Sequence, residues 1–192
     1  MKKIALLAAA IVFPLMAVHA QDFCGQGYRG HVDAGYSIGI GDYDFDRFEV
    51  NTSHGYQFNP FFFVGAGVGI HFMSSYATAG MEIPLDQRES LTDVPVFGHL
   101  RCNFMNRKFS PFVDLRGGYF VTNSGGLYLN AAVGCRYAFN EKMAVNLSVG
   151  YTREDLEFDT FEDFFGSHSM HYYTSGRKLS AEAVALKLGF EF

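Results

Sequence analysis

Apolar side chains fall at every second position over eight stretches of the 192-residue chain. That is the period of a β-strand whose two faces meet different surroundings. The first stretch sets Tyr28, Val32, Ala34, Tyr36, Ile38 and Ile40 against Arg29, His31, Asp33, Ser37 and Gly39. The last sets Val184, Leu186, Leu188, Phe190 and Phe192 against Ala185, Lys187, Gly189 and Glu191. Between them the same alternation runs over Phe48–Phe58, Phe62–Phe72, Val94–Phe104, Val113–Val121, Leu127–Phe139 and Met143–Tyr151.

The connections alternate in length. Those after the second, fourth and sixth stretches are short: Asn59-Pro60, Asn106-Arg107-Lys108 and Asn140-Glu141-Lys142. Ser74 to Thr92 and Glu154 to Lys178 read as long polar loops, and Gly41 to Asp46 and Thr122 to Gly126 are modest. A strict short and long alternation predicts an all-β, eight-stranded antiparallel up-and-down barrel. Short periplasmic turns and longer outside loops are the habit of transmembrane barrels, so both termini are expected on the periplasmic side.

Stretches of about ten residues suit a tilted strand crossing a bilayer. In lipid, only helices and closed barrels satisfy every backbone polar group. The apolar face is therefore expected outward. Outward aromatics at the strand ends form two girdles: Phe58, Phe62, Phe104, Phe139 and Phe192 at one interface, Phe48, Phe72 and Tyr151 at the other. A soluble eight-stranded barrel would reverse the faces; glycines and charges crowding the smaller face argue against it.

Export features agree. Lys2 and Lys3, the apolar stretch Ile4 to Val18 and the small-residue site Val18-His19-Ala20 make residues 1–20 a secretory signal peptide, with the barrel domain over 21–192. Cys24 lies too far from the cut to carry lipid. The chain holds 21 Phe, 11 Tyr and 21 Gly with five Pro and no Trp, a composition that favours strands over helices. Cleavage would remove Lys2 and Lys3 and no acid, making the net charge more negative than −5. An acidic chain of this kind argues against nucleic-acid binding. Cys102 and Cys135 fall on the fourth and sixth strands with one between, so Cys24, Cys102 and Cys135 are all expected unpaired.

The signal peptide, the eight alternating segments and the ending Leu186-Lys187-Leu188-Gly189-Phe190-Glu191-Phe192 resemble the small bacterial outer-membrane β-barrel family. That family includes OmpA- and OmpX-like, opacity-type and porin-family barrels. Ser110 to Tyr119 is similar to a common hairpin segment in such barrels. The resemblance implies an outer-membrane location, with Val184, Leu186, Leu188, Phe190 and Phe192 as the signal read by the barrel assembly machinery. It further implies contact with outer-membrane lipid and lipopolysaccharide. Family members include anchors, adhesins, small porin-like proteins and a few lipid-modifying enzymes.

The inward charges Arg29, Asp33, Arg47, Glu49, Arg101, Asp114, Arg116, Arg136 and Lys187 are of both signs. An eight-stranded interior is just wide enough for side chains to fill, so they are expected to interlock as a plugged polar lumen. Pairing Arg101 with Asp114 sets His99 opposite Arg116; a shift by two would oppose Arg101 to Arg116, which is costly. His71 and His99 are expected to hydrogen-bond inside. The reading is thus a structural or cell-surface barrel. One alternative is a narrow porin-like channel, and a second is a lipid A-modifying enzyme.

Outside, Asp42, Asp44 and Asp46 alternate with Tyr43 and Phe45. Glu154, Asp155, Glu157, Asp159, Glu162 and Asp163 interleave with Phe158, Phe161, Phe164 and Phe165. Such carboxylates can hold Ca²⁺, but no calcium-loop motif is present, so no metal or cofactor is expected. The aromatics Phe158, Phe161, Phe164 and Phe165 make a candidate contact surface for an extracellular partner. His168, Ser169 and His171 stand near the acids, but no nucleophile elbow and no deacylase His-Ser-Asn arrangement is found, so catalysis is not expected.

Overall fold

The computed structural model describes residues 24–41, 45–77, 86–122, 126–164 and 170–192, with side chains described except at 76, 86–88, 158–164 and 170–177. Eight strands follow one another: β1 Gly27–Ile40, β2 Arg47–Gln57, β3 Phe62–Met73, β4 Pro95–Asn103, β5 Phe109–Phe120, β6 Leu127–Ala138, β7 Ala144–Phe164 and β8 Met170–Glu191. Each pairs antiparallel with its chain neighbours. β8 returns to β1, and the sheet closes into a barrel. At the seam the Gly30 N–H donates to the Phe192 carbonyl at 2.8 Å, and the Phe192 N–H donates to the Gly30 carbonyl at 2.9 Å.

Asparagine makes two of the short turns. In the β2–β3 turn Asn59 Oδ1 accepts the N–H groups of Phe61 and Phe62, both at 2.9 Å. In the β6–β7 turn Asn140 Oδ1 accepts those of Lys142 and Met143, both at 2.8 Å. A short amide side chain replaces a backbone partner and tightens the turn. Between β4 and β5 the Ser110 hydroxyl takes that role, accepting the Met105 N–H at 3.1 Å.

The faces sort as the alternation requires. Outward, Tyr36, Phe48, Phe72, Leu100, Val133, Leu147 and Leu188 are exposed, and inward, Arg29, Glu49, His99, Asp114, Arg136 and Lys187 are buried. The register sets Arg101 opposite Asp114 and His99 opposite Arg116, as charge pairing demands.

Two long connections differ from the sequence reading. Glu154 to Lys178 is for the most part not a loop: β7 and β8 continue through it as one hairpin, paired from Ala144 with Glu191 to Phe164 with Met170. Alternation had ended there only because the stretch exceeds the ten or so residues a bilayer needs. Within Ser74 to Thr92, strand Asp86–Arg88 pairs with β7 and with strand Tyr76–Ala77, and strand Leu91–Asp93 pairs with the top of β3. This end of the barrel carries a raised β wall.

Candidate functional site

The nine inward charges predicted from the sequence all lie in the lumen, and they come together in layers. Nearest the short turns, Arg136 Nε and Nη2 donate to the two Glu191 oxygens at 2.8 and 2.9 Å, and Arg29 lies 3.4 Å from the same carboxylate. Next, Arg101 forks onto Asp114 with bonds of 2.6 and 2.7 Å, a bidentate geometry that only a guanidinium offers. Arg116 forks onto Asp33 at 3.0 and 2.7 Å. His99 is hydrogen-bonded to Ser53 at 2.7 Å and to Asp114 at 3.1 Å.

Asn51 links this layer to the one above. Its amide donates to Asp33 at 3.2 Å and to Glu49 at 3.1 Å, and its carbonyl lies 3.2 Å from His71 Nε2. Glu49 also accepts the Ser37 hydroxyl at 2.6 Å and lies 2.9 Å from Lys187 Nζ. His71 sits 3.4 Å from both Glu49 and Glu154, and Arg47 lies 3.4 Å from Glu154. A void of about 10 Å³ remains among Asp33, Arg101, Arg116, Asn146, Ser148 and Lys187, room for about one water molecule.

Above the charges lies an apolar layer that the sequence reading missed. Phe45, Met73, Phe97, Phe120, Tyr128, Leu156 and Ala181 pack together, with Leu179 against them. Tyr128 contacts Phe97 and Phe120 at centroid distances of 5.7 and 5.8 Å. Guanidiniums stack beneath and among inward rings: Arg101 lies 4.1 Å from the Phe112 centroid and Arg116 5.5 Å from that of Phe97. Inward glycines make the room. A Cβ on Gly67 would lie 2.7 Å from Phe97 Cε2, and one on Gly134 2.6 Å from Phe112 Cζ.

Parity with neighbouring charges was the signal available for these rings, since Phe97, Phe112 and Tyr128 share a face with His99, Asp114 and Asn130. The same parity reaches Glu191, and it carries Glu154 into the lumen beyond Thr152. Glu154 is therefore not a solvated loop carboxylate. Phe45, read as a loop aromatic, turns inward as part of the apolar layer, with Arg47 5.9 Å from its ring.

Of the other candidates, the C-terminal residues Val184, Leu186, Leu188, Phe190 and Phe192 face outward. Phe192 lies against Gly30, where a Cβ would come within 2.5 Å of the ring. Asp42, Tyr43, Asp44, Phe165, His168 and Ser169 lie outside the described residues, as do the side chains of Phe158, Phe161, Phe164 and His171. Among the described residues no three His, Cys, Asp or Glu side chains converge as a metal-holding group. The three cysteines form no disulfide. Cys24 tucks under the short-turn end of the barrel, buried, and burial pushes its thiol pKa up.

An apolar outside, a charged and filled inside and a sheet with no open edge around the barrel define a membrane-spanning β-barrel. Residues 5–192 match the outer membrane protein beta-barrel domain, and the chain belongs to that family. Among solved structures it is similar to Neisserial surface protein A, with 13% identity and a TM-score of 0.53 over 87% of this chain and 97% of that one. It is also similar to a designed transmembrane β-barrel, with 16% identity and a TM-score of 0.43 over 88% and 97%. No curated protein matches the chain in sequence.

Proposed function

We propose that this is a non-catalytic outer-membrane barrel with a structural and cell-surface interaction role, its lumen closed to ions and its raised β7–β8 hairpin facing the exterior. Residues 1–20 act as the export signal, both ends of the barrel chain lie in the periplasm, and the C-terminal strand engages the assembly machinery. The observation that carries the reading is the filled interior. Ion pairs and hydrogen bonds link Glu191 to Arg47 across the barrel, and an apolar layer covers them. Water and ions would need a continuous path, and the void among the central charges is about 10 Å³.

The hairpin supports the surface role. Its strands of 21 and 22 residues exceed the roughly ten residues that a span needs, and extra strand length outside lipid serves contact, not crossing. A surface protein of Neisseria shares the fold. Single-channel recording of the refolded barrel in a planar bilayer tests the closed lumen. Silence from a barrel with heat-modifiable gel migration is expected, and steady current would replace this reading with a narrow porin.

A further inference from the structure

The outward face is not uniformly smooth. A groove of about 660 Å³ runs over β4, β5 and β6, floored by Gly98, Gly117 and Ala131 and flanked by Leu100, Leu115 and Leu129. A second groove of about 390 Å³ crosses β5 to β8 one row nearer the short turns, between Val113, Val133, Val149 and Val184. The two share Ala131 and Tyr151 as their common wall.

Arg153 closes the larger groove at its hairpin end. It stands two residues beyond Tyr151 on β7 and faces outward, at the level where a headgroup meets the aromatic girdle. One of its nitrogens donates to Ser180 Oγ at 3.1 Å. Glu182, opposite Arg153 in the register, accepts a hydrogen bond from the Tyr151 hydroxyl. A guanidinium carries five N–H donors in a fork that matches phosphate.

The geometry points to a bound lipid: two acyl chains lie in the two grooves, one on each side of Ala131 and Tyr151, and a phosphate rests on Arg153. A second barrel is the competing occupant, but its convex wall bridges such grooves without entering them, whereas an acyl chain follows them. The cation at one end and none along the aliphatic walls match an anionic headgroup above apolar tails. Because Arg153 lies on the hairpin side, the lipid is the lipid A moiety of outer-leaflet lipopolysaccharide. That assignment rests on the orientation proposed above.

The test is native mass spectrometry of the folded full-length barrel in mild detergent, mixed with bisphosphorylated lipid A or with phosphatidylglycerol. A Cβ at Gly98 meets nothing nearer than the Gly117 carbonyl at 3.8 Å, so Gly98→Leu fills the groove without disturbing the sheet. Gly98→Ala serves as the milder variant if the larger one folds poorly. Lipid A occupancy is expected to fall about tenfold in Arg153→Gln and in Gly98→Leu. Arg153→Lys should restore part of it. Equal occupancy in every heat-modifiable variant overturns the site, and retention of phosphatidylglycerol in preference to lipid A overturns the lipid assigned. Orientation is read separately, by protease added to intact cells. Cleavage within the hairpin supports the outer-leaflet assignment, and protection overturns it whatever the groove binds.

Discussion

Asp114 touches two guanidiniums and an imidazole at once: Arg101 through two bonds, Arg116 at 3.6 Å and His99 at 3.1 Å. Asp114→Asn keeps the shape and removes the charge, leaving buried Arg101 with only the Glu191 carboxylate, 3.9 Å away. Breaking a buried pair in this way costs about 3–5 kcal/mol. Urea unfolding in phospholipid vesicles, followed by the heat-modifiable band, should show a clearly lower midpoint; an unchanged midpoint would mean that water replaces the pair. Cys24 gives a prediction of the opposite kind. Burial holds its thiol protonated, and the thiolate is the nucleophile. Raising the pH to about 8, near the ordinary thiol value, should leave Cys24 slow to react with iodoacetamide in the folded barrel and fast after denaturation. Equal rates would place it in open solvent. The lumen charges were legible in the chain because charge and parity point the same way. Phe97, Phe112 and Tyr128 were not, since an aromatic ring reads alike whether it faces lipid or lumen.

The element that departs most from its sequence reading is the β7–β8 hairpin. Its barrel half is held by the pairs from Ala144 with Glu191 to Arg153 with Glu182, and its Leu156 and Leu179 stand opposite one another at the apolar layer. The described strand residues from Glu157 to Phe164 and from Met170 to Lys178 continue beyond that layer. Replacing residues 157–178 with a two-residue turn keeps Leu156 and Leu179 in place and should leave heat-modifiable migration intact while abolishing contact with extracellular partners. Surface adhesion measured on cells carrying either form checks this; full adhesion without the hairpin would remove it from the interaction role. Its strand character was hidden because acidic and aromatic residues interleave there, and a half-polar ribbon in water has no lipid face to impose apolar alternation. The short turns were legible for a converse reason: Asn59 and Asn140 carry their turn-making hydrogen bonds in their own side chains.

For the whole molecule, closure is redundant. The apolar layer and the charge layers obstruct the lumen independently, so removing one leaves the other. Phe97→Ala combined with Tyr128→Ala should loosen the upper layer and destabilise the barrel by roughly 3–5 kcal/mol per ring, yet bilayer recordings should stay silent. Current appearing on this change alone would show that the charged layers are permeable. Eight strands, their order and the inside-out arrangement were readable from period and loop length, because closure and lipid leave few other solutions. Which residues face one another across the lumen was not, since those pairs join strands that are not neighbours in the sheet.

The ion pairs made by the last strand bear on how synthesis and insertion are coordinated. The last strand supplies Glu191 to Arg29 of the first strand and Arg136 of the sixth, and Lys187 to Glu49 of the second. A chain lacking β8 would carry two arginines and a glutamate on its inner face without these counterions, and a sheet with both edges open. The partners of these three charges and edge closure thus arrive together with the final strand. An unfinished copy has no low-energy way to enter lipid, which makes the interior electrostatics a proofreading checkpoint for completeness of the polypeptide.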